Sequence, residues 1–192
     1  MKVLKKLKSL YRQTFWSLEK QARYAGVHLG DGNFIASHFW GTEPYLIKIG
    51  SNCGITKGVK MFTHGGARVA RKKRPPIRHF GKVNIGDYVY IGTNSLIMPG
   101  VTIGDNVLVA AGSVVTKSVP SNVVVGGNSA KYICSIDEYI ERNEQYNLNT
   151  KGMKMEEKKV LFTAAPEEAF VRKSEMKSGG GNFCWTNIRF AA

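Results

Sequence analysis

Four histidines, three cysteines and one crowded basic stretch are the side chains of this 192-residue sequence with the most scope for chemistry. A neutral imidazole accepts a proton near neutral pH and commonly serves as the base that activates a hydroxyl. His28, His38, His64 and His79 are therefore each candidates. Cys53, Cys134 and Cys184 show neither metal-ligand nor redox spacing, and an odd number argues against a disulfide framework and for a reducing compartment. Arg68, Arg71, Lys72, Lys73, Arg74 and Arg78 crowd a single segment. Such a run is either a solvated face or a contact for phosphates and acidic groups.

The elements that must position these groups show in the hydrophobic spacing. Ile85, Ile91, Ile97, Ile103, Val109 and Val115 recur in unbroken steps of six, and Val89, Ser95, Val101, Val107, Ser113 and Val119 follow each by four. Ile49, Ile55 and Met61 carry the same step earlier, with Cys53 and Val59 at the offset of four. A fixed short period marks a solenoid, in which each repeat buries its apolar face only against its neighbours. Six residues make one short strand and a turn, and three such units make one coil of a triangular prism. Gly86-Asp87, Thr93-Asn94 and Gly104-Asp105-Asn106 supply residues that tolerate left-handed backbone angles at the corners. A β-sandwich would alternate in steps of two, with turns every eight to twelve residues, and fits less well.

Between Met61 and Val83 the step is lost. Thr63 to Phe80 is dense in Gly, Pro and positive charge and predicts a loop, at about 64–82, thrown out of the prism. His64 opens this loop and His79 closes it, while His28 and His38 fall in irregular first coils where a structural role is expected. Before the repeats, positions 4, 7, 11, 15, 18 and 22 predict one amphipathic helix from about Lys2 to Tyr24 with a basic opposite face. It is expected to cap the core, with peripheral membrane contact as the second reading. After Lys131, Ser135-Ile136-Asp137-Glu138 forms a capping box, and residues from Met155 to Thr163 and from Pro166 to Lys173 look helical. The expected organisation is an N-terminal helix (1–25), a β-helix (26–131) and C-terminal helices with a tail (132–192), two independent domains being unlikely. The tail from Ser178, with Gly179-Gly180-Gly181, Phe183, Trp185 and Phe190, suggests no function.

The formal charge of +14 attracts anionic partners from a distance without naming one. No nucleic-acid-binding signature accompanies it, so no nucleic-acid partner is expected. With 43% hydrophobic and 22% charged residues and only short apolar runs, no transmembrane helix is expected. The basic N-terminus lacks the continuous apolar stretch of a signal peptide, and a cytoplasmic location follows as an expectation.

Three motifs in order, Ile91 to Asn106, then Ala111-Gly112-Ser113-Val114-Val115-Thr116-Lys117-Ser118-Val119-Pro120, then Gly127-Asn128-Ser129-Ala130-Lys131, closely resemble the hexapeptide-repeat O-acetyltransferases. These include maltose, galactoside and xenobiotic acetyltransferases and enzymes that acetylate capsule and exopolysaccharide sugars. The resemblance covers roughly Ile49 to Ile133. It implies a left-handed parallel β-helix, a homotrimer, acetyl-CoA as co-substrate, and CoA and acceptor in clefts between neighbouring prisms. The sequence departs from the family pattern at Ser129, where proline is usual, and at Cys134, where relatives often carry a CoA-contacting arginine.

The same resemblance implies that His64 is the catalytic base, with His79 as runner-up. Gly65 follows His64 where many relatives carry an acid, so a backbone carbonyl is the default group to orient the imidazole. Cys53 alone among the cysteines stands near His64 in the repeat register, and direct attack by the acceptor is favoured over a covalent acyl-enzyme. Thr93, Ala111, Thr116 and Lys117, with Lys131, are implied in CoA binding, although corner geometry accounts for the small residues equally well. Arg78 and His79 are the expected acceptor contacts. The expected activity is acetyl transfer from acetyl-CoA to a hydroxyl of a sugar or surface-polysaccharide precursor, with N-acetylation of an amino sugar or an inert binding scaffold as alternatives. No metal is expected. A zinc carbonic anhydrase on the same prism would need three imidazoles, and the repeats from Ile85 to Lys117 hold none.

Overall fold

Every residue of the six-step series, from Ile85 to Val115, is buried, and so is every residue at the offset of four, from Val89 to Val119. The structure, a computed structural model, describes residues 2–173. Cys184 and the Gly- and aromatic-rich tail lie outside the described residues. The chain forms two units, Met1–Arg142 and Asn143–Ala192.

In the first unit short strands fall into three sheets. β1 (His28–Leu29), β3 (Ile47–Ile49), β6 (Val83–Ile85) and β9 (Thr102–Ile103) make the first. β2 (Phe34–Ile35), β4 (Gly54–Ile55), β7 (Tyr90–Ile91), β10 (Leu108–Val109), β12 (Val123–Gly126) and β13 (Lys131–Ser135) make the second. β5 (Lys60–Met61), β8 (Leu96–Ile97) and β11 (Val114–Val115) make the third. From β3 to β11 the chain visits the sheets in strict rotation, with isolated bridges of Phe39 to Lys60 and of Val119 to Ile103 in place of a strand before and after, and strands a circuit apart pair in parallel. Asn84 pairs with Thr102, Tyr90 with Leu108 and Leu96 with Val114, each eighteen residues on. The parallel pairing ends at β13, which turns back antiparallel to β12. The sequence signals after Lys131 are helical, yet Lys131–Ser135 forms this closing strand because pairing with β12 satisfies its backbone.

The interior is built mainly of stacked Ile, Val and Met side chains, one from each two-residue strand between β4 and β11 and two each from β3 and β6. Two of the buried positions at the offset of four, Ser95 and Ser113, carry hydroxyls. Ser113 Oγ donates to the Ala110 carbonyl at 2.6 Å and Ser95 Oγ to the same oxygen at 3.1 Å, so neither is left unpaired. The corners that lead into β4, β7, β10 and β12 each hold one left-handed residue, Asn52, Tyr88, Asn106 and Asn122, with φ between 55° and 64°. Asn94 also takes φ 59°, as its type predicts. At the Gly86-Asp87 corner, however, Tyr88 carries the left-handed angle. Asp87 is held there by a ladder, its backbone N–H donating to Asp105 Oδ1 at 2.8 Å while its own carboxylate accepts from the Ser51 N–H at 2.7 Å.

The N-terminal segment is two helices, α1 (Lys2–Phe15) and α2 (Leu18–Ala25), where the apolar spacing predicts one. Ser17 breaks it by capping α2, its hydroxyl accepting from the Lys20 N–H at 3.2 Å. The excursion from the coil contains a single helical turn, α3 (Ala67–Ala70), absent from the sequence expectation. The capping box before α4 (Ile136–Glu144) forms, with Glu138 N–H donating to Ser135 Oγ and Ser135 N–H to Glu138 Oε2. In the second unit α5 (Met155–Ala164) lies where its pattern predicts. The helix expected from Pro166 shrinks to one 3-10 turn, Glu167–Ala169, with extended Phe170 after it.

Candidate active site

The rotation of strands sends every passage from the third sheet to the first around the same edge of the coil. On this edge lie, circuit by circuit, the segments after Phe39, after β5, after β8 and after β11. The segment after β5 departs as the long excursion. Lys60 and Leu96 still pair across it although thirty-six residues separate them, so the excursion inserts a whole extra circuit's length without shifting register. Its neck is closed by an antiparallel bridge between His64 and Phe80 and by the Gly81 N–H donating to the Thr63 carbonyl at 2.8 Å. Gly81 is required there, because a Cβ would collide with the Pro99 and Gly100 backbone of the next circuit.

His64 stands at this neck, and the preceding circuit supplies its partner. Buried Trp40 anchors the segment after Phe39, and Gly41, at φ 66°, turns the chain so that Thr42 and Glu43 face the edge. His64 Nδ1 lies 2.9 Å from Glu43 Oε2. The carboxylate also accepts from the Thr63 hydroxyl at 2.6 Å and from the Thr42 hydroxyl at 2.7 Å. These two donors, Thr63 before Thr42, hold the Glu43 carboxyl below the usual carboxylate range against some burial, with a smaller contribution from His64. An ionised carboxylate only accepts, so Nδ1 must be the donor and the lone pair of the neutral ring resides on Nε2. Nε2 makes no hydrogen bond among the described residues. The His64 side chain is 46% exposed and that of Glu43 18%, so the ring meets solvent while its anchor is shielded. The Phe80 ring, 5.7 Å from the imidazole centroid to centroid, covers one side.

The orienting group is thus a carboxylate from the preceding circuit and not the backbone carbonyl expected as the default. Glu43 and Thr42 were missed because they precede Ile49, where the regular step begins, and Thr63 because it lies just past Met61, where the step is lost. The available signal was the Gly41-Thr42-Glu43-Pro44 interruption, which lies one irregular circuit before His64.

The other predicted residues divide into groups. Arg78 and His79 are exposed and immediately precede Phe80, placing them at the returning side of the neck. The Arg and Lys residues of the excursion are exposed and form no salt bridge among the described residues. Thr116 and Lys117 follow β11 on the same edge as His64, two circuits on. Lys117 and Lys131 line one shallow hollow with Pro120 and Tyr132. Thr93 and Ala111 lie apart from these, stacked on the edge between the second and third sheets, where the Gly112 N–H donates to the Thr93 carbonyl at 2.8 Å. Both edges border the three-stranded sheet β5-β8-β11.

Cys53 is buried in the core, its thiol directed to the Gly86 carbonyl at 3.1 Å, and burial pushes it above its ordinary pKa. It has neither the access nor the thiolate character of a nucleophile. Among the described residues no group of three or more His, Cys, Asp or Glu side chains converges as a metal ion would need. No described helix is long and apolar enough to cross a membrane.

A coil of six-residue repeats with an imidazole and its orienting carboxylate at one edge matches known proteins along most of its length. The model of the bacterial transferase hexapeptide, six repeats, matches residues 82–117. Protein CapG of Staphylococcus aureus is 50% identical over 151 residues, covering 75% of this chain and 86% of that protein. The galactoside O-acetyltransferase of Escherichia coli K12 is 32% identical over 114 residues, which span 59% of this chain and 56% of that enzyme. Among solved structures, the hexapeptide-repeat acetyltransferase VCA0836 of Vibrio cholerae superposes with a TM-score of 0.51 at 26% identity, over 60% of this chain and 77% of that one. The chain belongs to the hexapeptide-repeat acetyltransferases.

Proposed function

We propose that this protein is a left-handed β-helix enzyme that moves the acetyl group of acetyl-CoA directly to a hydroxyl of a sugar or surface-polysaccharide precursor. The observation that carries this reading is the Glu43–His64 pair. Its Nδ1–H is committed to a carboxylate, which leaves Nε2 as the one ring atom able to accept a proton. Nε2 takes the acceptor hydroxyl's proton as that oxygen attacks the thioester carbonyl carbon. The tetrahedral intermediate then expels the CoA sulfur, which recovers the proton from the imidazolium. Glu43 stabilises the imidazolium formed between these steps. The burial of Cys53 supports direct transfer over an acyl-enzyme.

Thr93, Ala111 and Thr116 border the β5-β8-β11 sheet and let the pantetheine arm approach backbone, while Lys117 and Lys131 meet phosphate. Thr93 and Ala111 sit on one edge of the chain and Thr116, Lys117 and Lys131 at the other, which supports a cleft completed by a second copy and hence a homotrimer. Arg78 and His79 contact the acceptor, and the unpaired cations of the excursion favour anionic reactants around that contact. The reaction takes place in the cytoplasm, where acetyl-CoA is supplied.

Thiol release from acetyl-CoA, measured across neutral sugars, acidic sugars, nucleotide sugars and polysaccharide fragments, tests the reading. Acceptor-dependent release with at least one hydroxyl acceptor is expected. Release with amino sugars alone would replace O-transfer by N-transfer, and no release with any acceptor would leave a binding scaffold.

A further inference from the structure

The N-terminal helix α1 carries an apolar face that the first unit does not cover. Leu7, Leu10, Tyr11 and Phe15 are 57%, 61%, 58% and 70% exposed. Their spacing of three, four and eight puts them on one side of the helix. By the same 3.6-residue period the basic residues of the sequence, Lys2, Lys5, Lys6, Lys8 and Arg12, fall on the remaining arc, and α1 contains no acidic residue. The junction with α2 is braced. The Arg12 guanidinium lies 4.3 Å over the Tyr24 ring and donates to its hydroxyl, and Lys20 Nζ sits 4.4 Å over Trp16. Tyr11 and Phe15 stack beside it with centroids 5.0 Å apart. Aromatic rings flanked by cations at the end of an apolar stripe are the composition that settles at a membrane interface.

We infer that α1 is an interfacial anchor, lying flat on an anionic lipid surface with Leu7, Leu10, Tyr11 and Phe15 in the acyl boundary and its lysines over the headgroups. Charge complementarity selects this occupant: an arc of five basic residues with no acidic one, beside a solvent-exposed apolar stripe, fits phosphate headgroups above acyl chains. Fourteen residues in α1 cannot span a bilayer, so the helix lies on the surface. The inference is independent of the acetyl-transfer reading.

Co-sedimentation of the full chain with phosphatidylcholine vesicles, with and without phosphatidylglycerol, tests it. Binding is expected only with phosphatidylglycerol and should weaken as salt rises. Leu7→Asp/Leu10→Asp, which touches no core residue, should keep the melting temperature and lower vesicle affinity by about a hundredfold or more. Lys5→Glu/Lys8→Glu should lower it by at least about tenfold. Undiminished binding by Leu7→Asp/Leu10→Asp would overturn the proposal, since only the diffuse positive charge would then be at work. So would equal binding to neutral vesicles, no binding at all, or a change of oligomeric state in that variant, which would assign the face to a second copy.

Discussion

At the scale of single residues, the chemistry rests on how a carboxylate is kept ionised beside an imidazole. Glu43 receives hydroxyl donors from Thr63 and Thr42 as well as His64 Nδ1, and its folded pKa is lowered. A group of this kind contributes stability that is present above its unfolded pKa and lost as pH falls through the lower folded value. Glu43→Gln should therefore melt below the parent at neutral pH, and the gap should close as pH falls through and below the ordinary carboxylate range. Differential scanning across that range checks this. The same variant should lose at least about tenfold in turnover near neutral pH, less than loss of the imidazole itself, because the tautomer is no longer enforced. A melting gap that widens as the solution is acidified would contradict the assigned ionisation.

At the scale of elements, the six-step aliphatic series was readable because each face of the coil presents an inward position at the same point of every six-residue unit, and that position is buried without exception from Ile85 to Val115. Ile97 is fully buried between Met61 and Val115 on neighbouring strands. Ile97→Asp should cost several kcal/mol and leave the chain insoluble or unfolded; a soluble variant with unchanged melting would refute the register. The first circuits were not legible to the same degree. His28 and Lys48 pair at a separation of twenty, and the extra residues that carry Glu43 to the edge belong to no period. The break between α1 and α2 was hidden for a different reason, since the apolar spacing runs on through Trp16 and Ser17 while the Ser17 cap ends it. His64 was legible by place, as the first residue out of register. Its carboxylate partner was not, because only pairing between circuits brings position 43 beside position 64.

At the scale of the whole molecule, the predicted CoA residues lie on two edges bordering one sheet, and a single copy leaves that sheet open. Light scattering at micromolar concentration should give three times the chain mass, and a monomer would remove the shared cleft. Positive charge concentrated on the excursion and on the N-terminal helix adds long-range attraction for anionic reactants, which salt should weaken.

The central claim, that His64 is the base, is tested most directly by acceptor-dependent thiol release in His64→Ala and His79→Ala under one set of conditions. His64 is fixed at the neck of the excursion by backbone bonds on both sides, so its replacement should spare the fold. Turnover should fall by roughly two to four orders of magnitude in His64→Ala, with CoA affinity within a few-fold of the parent, and much less in His79→Ala. Retention of most activity by His64→Ala, with its loss in His79→Ala, would contradict the assignment.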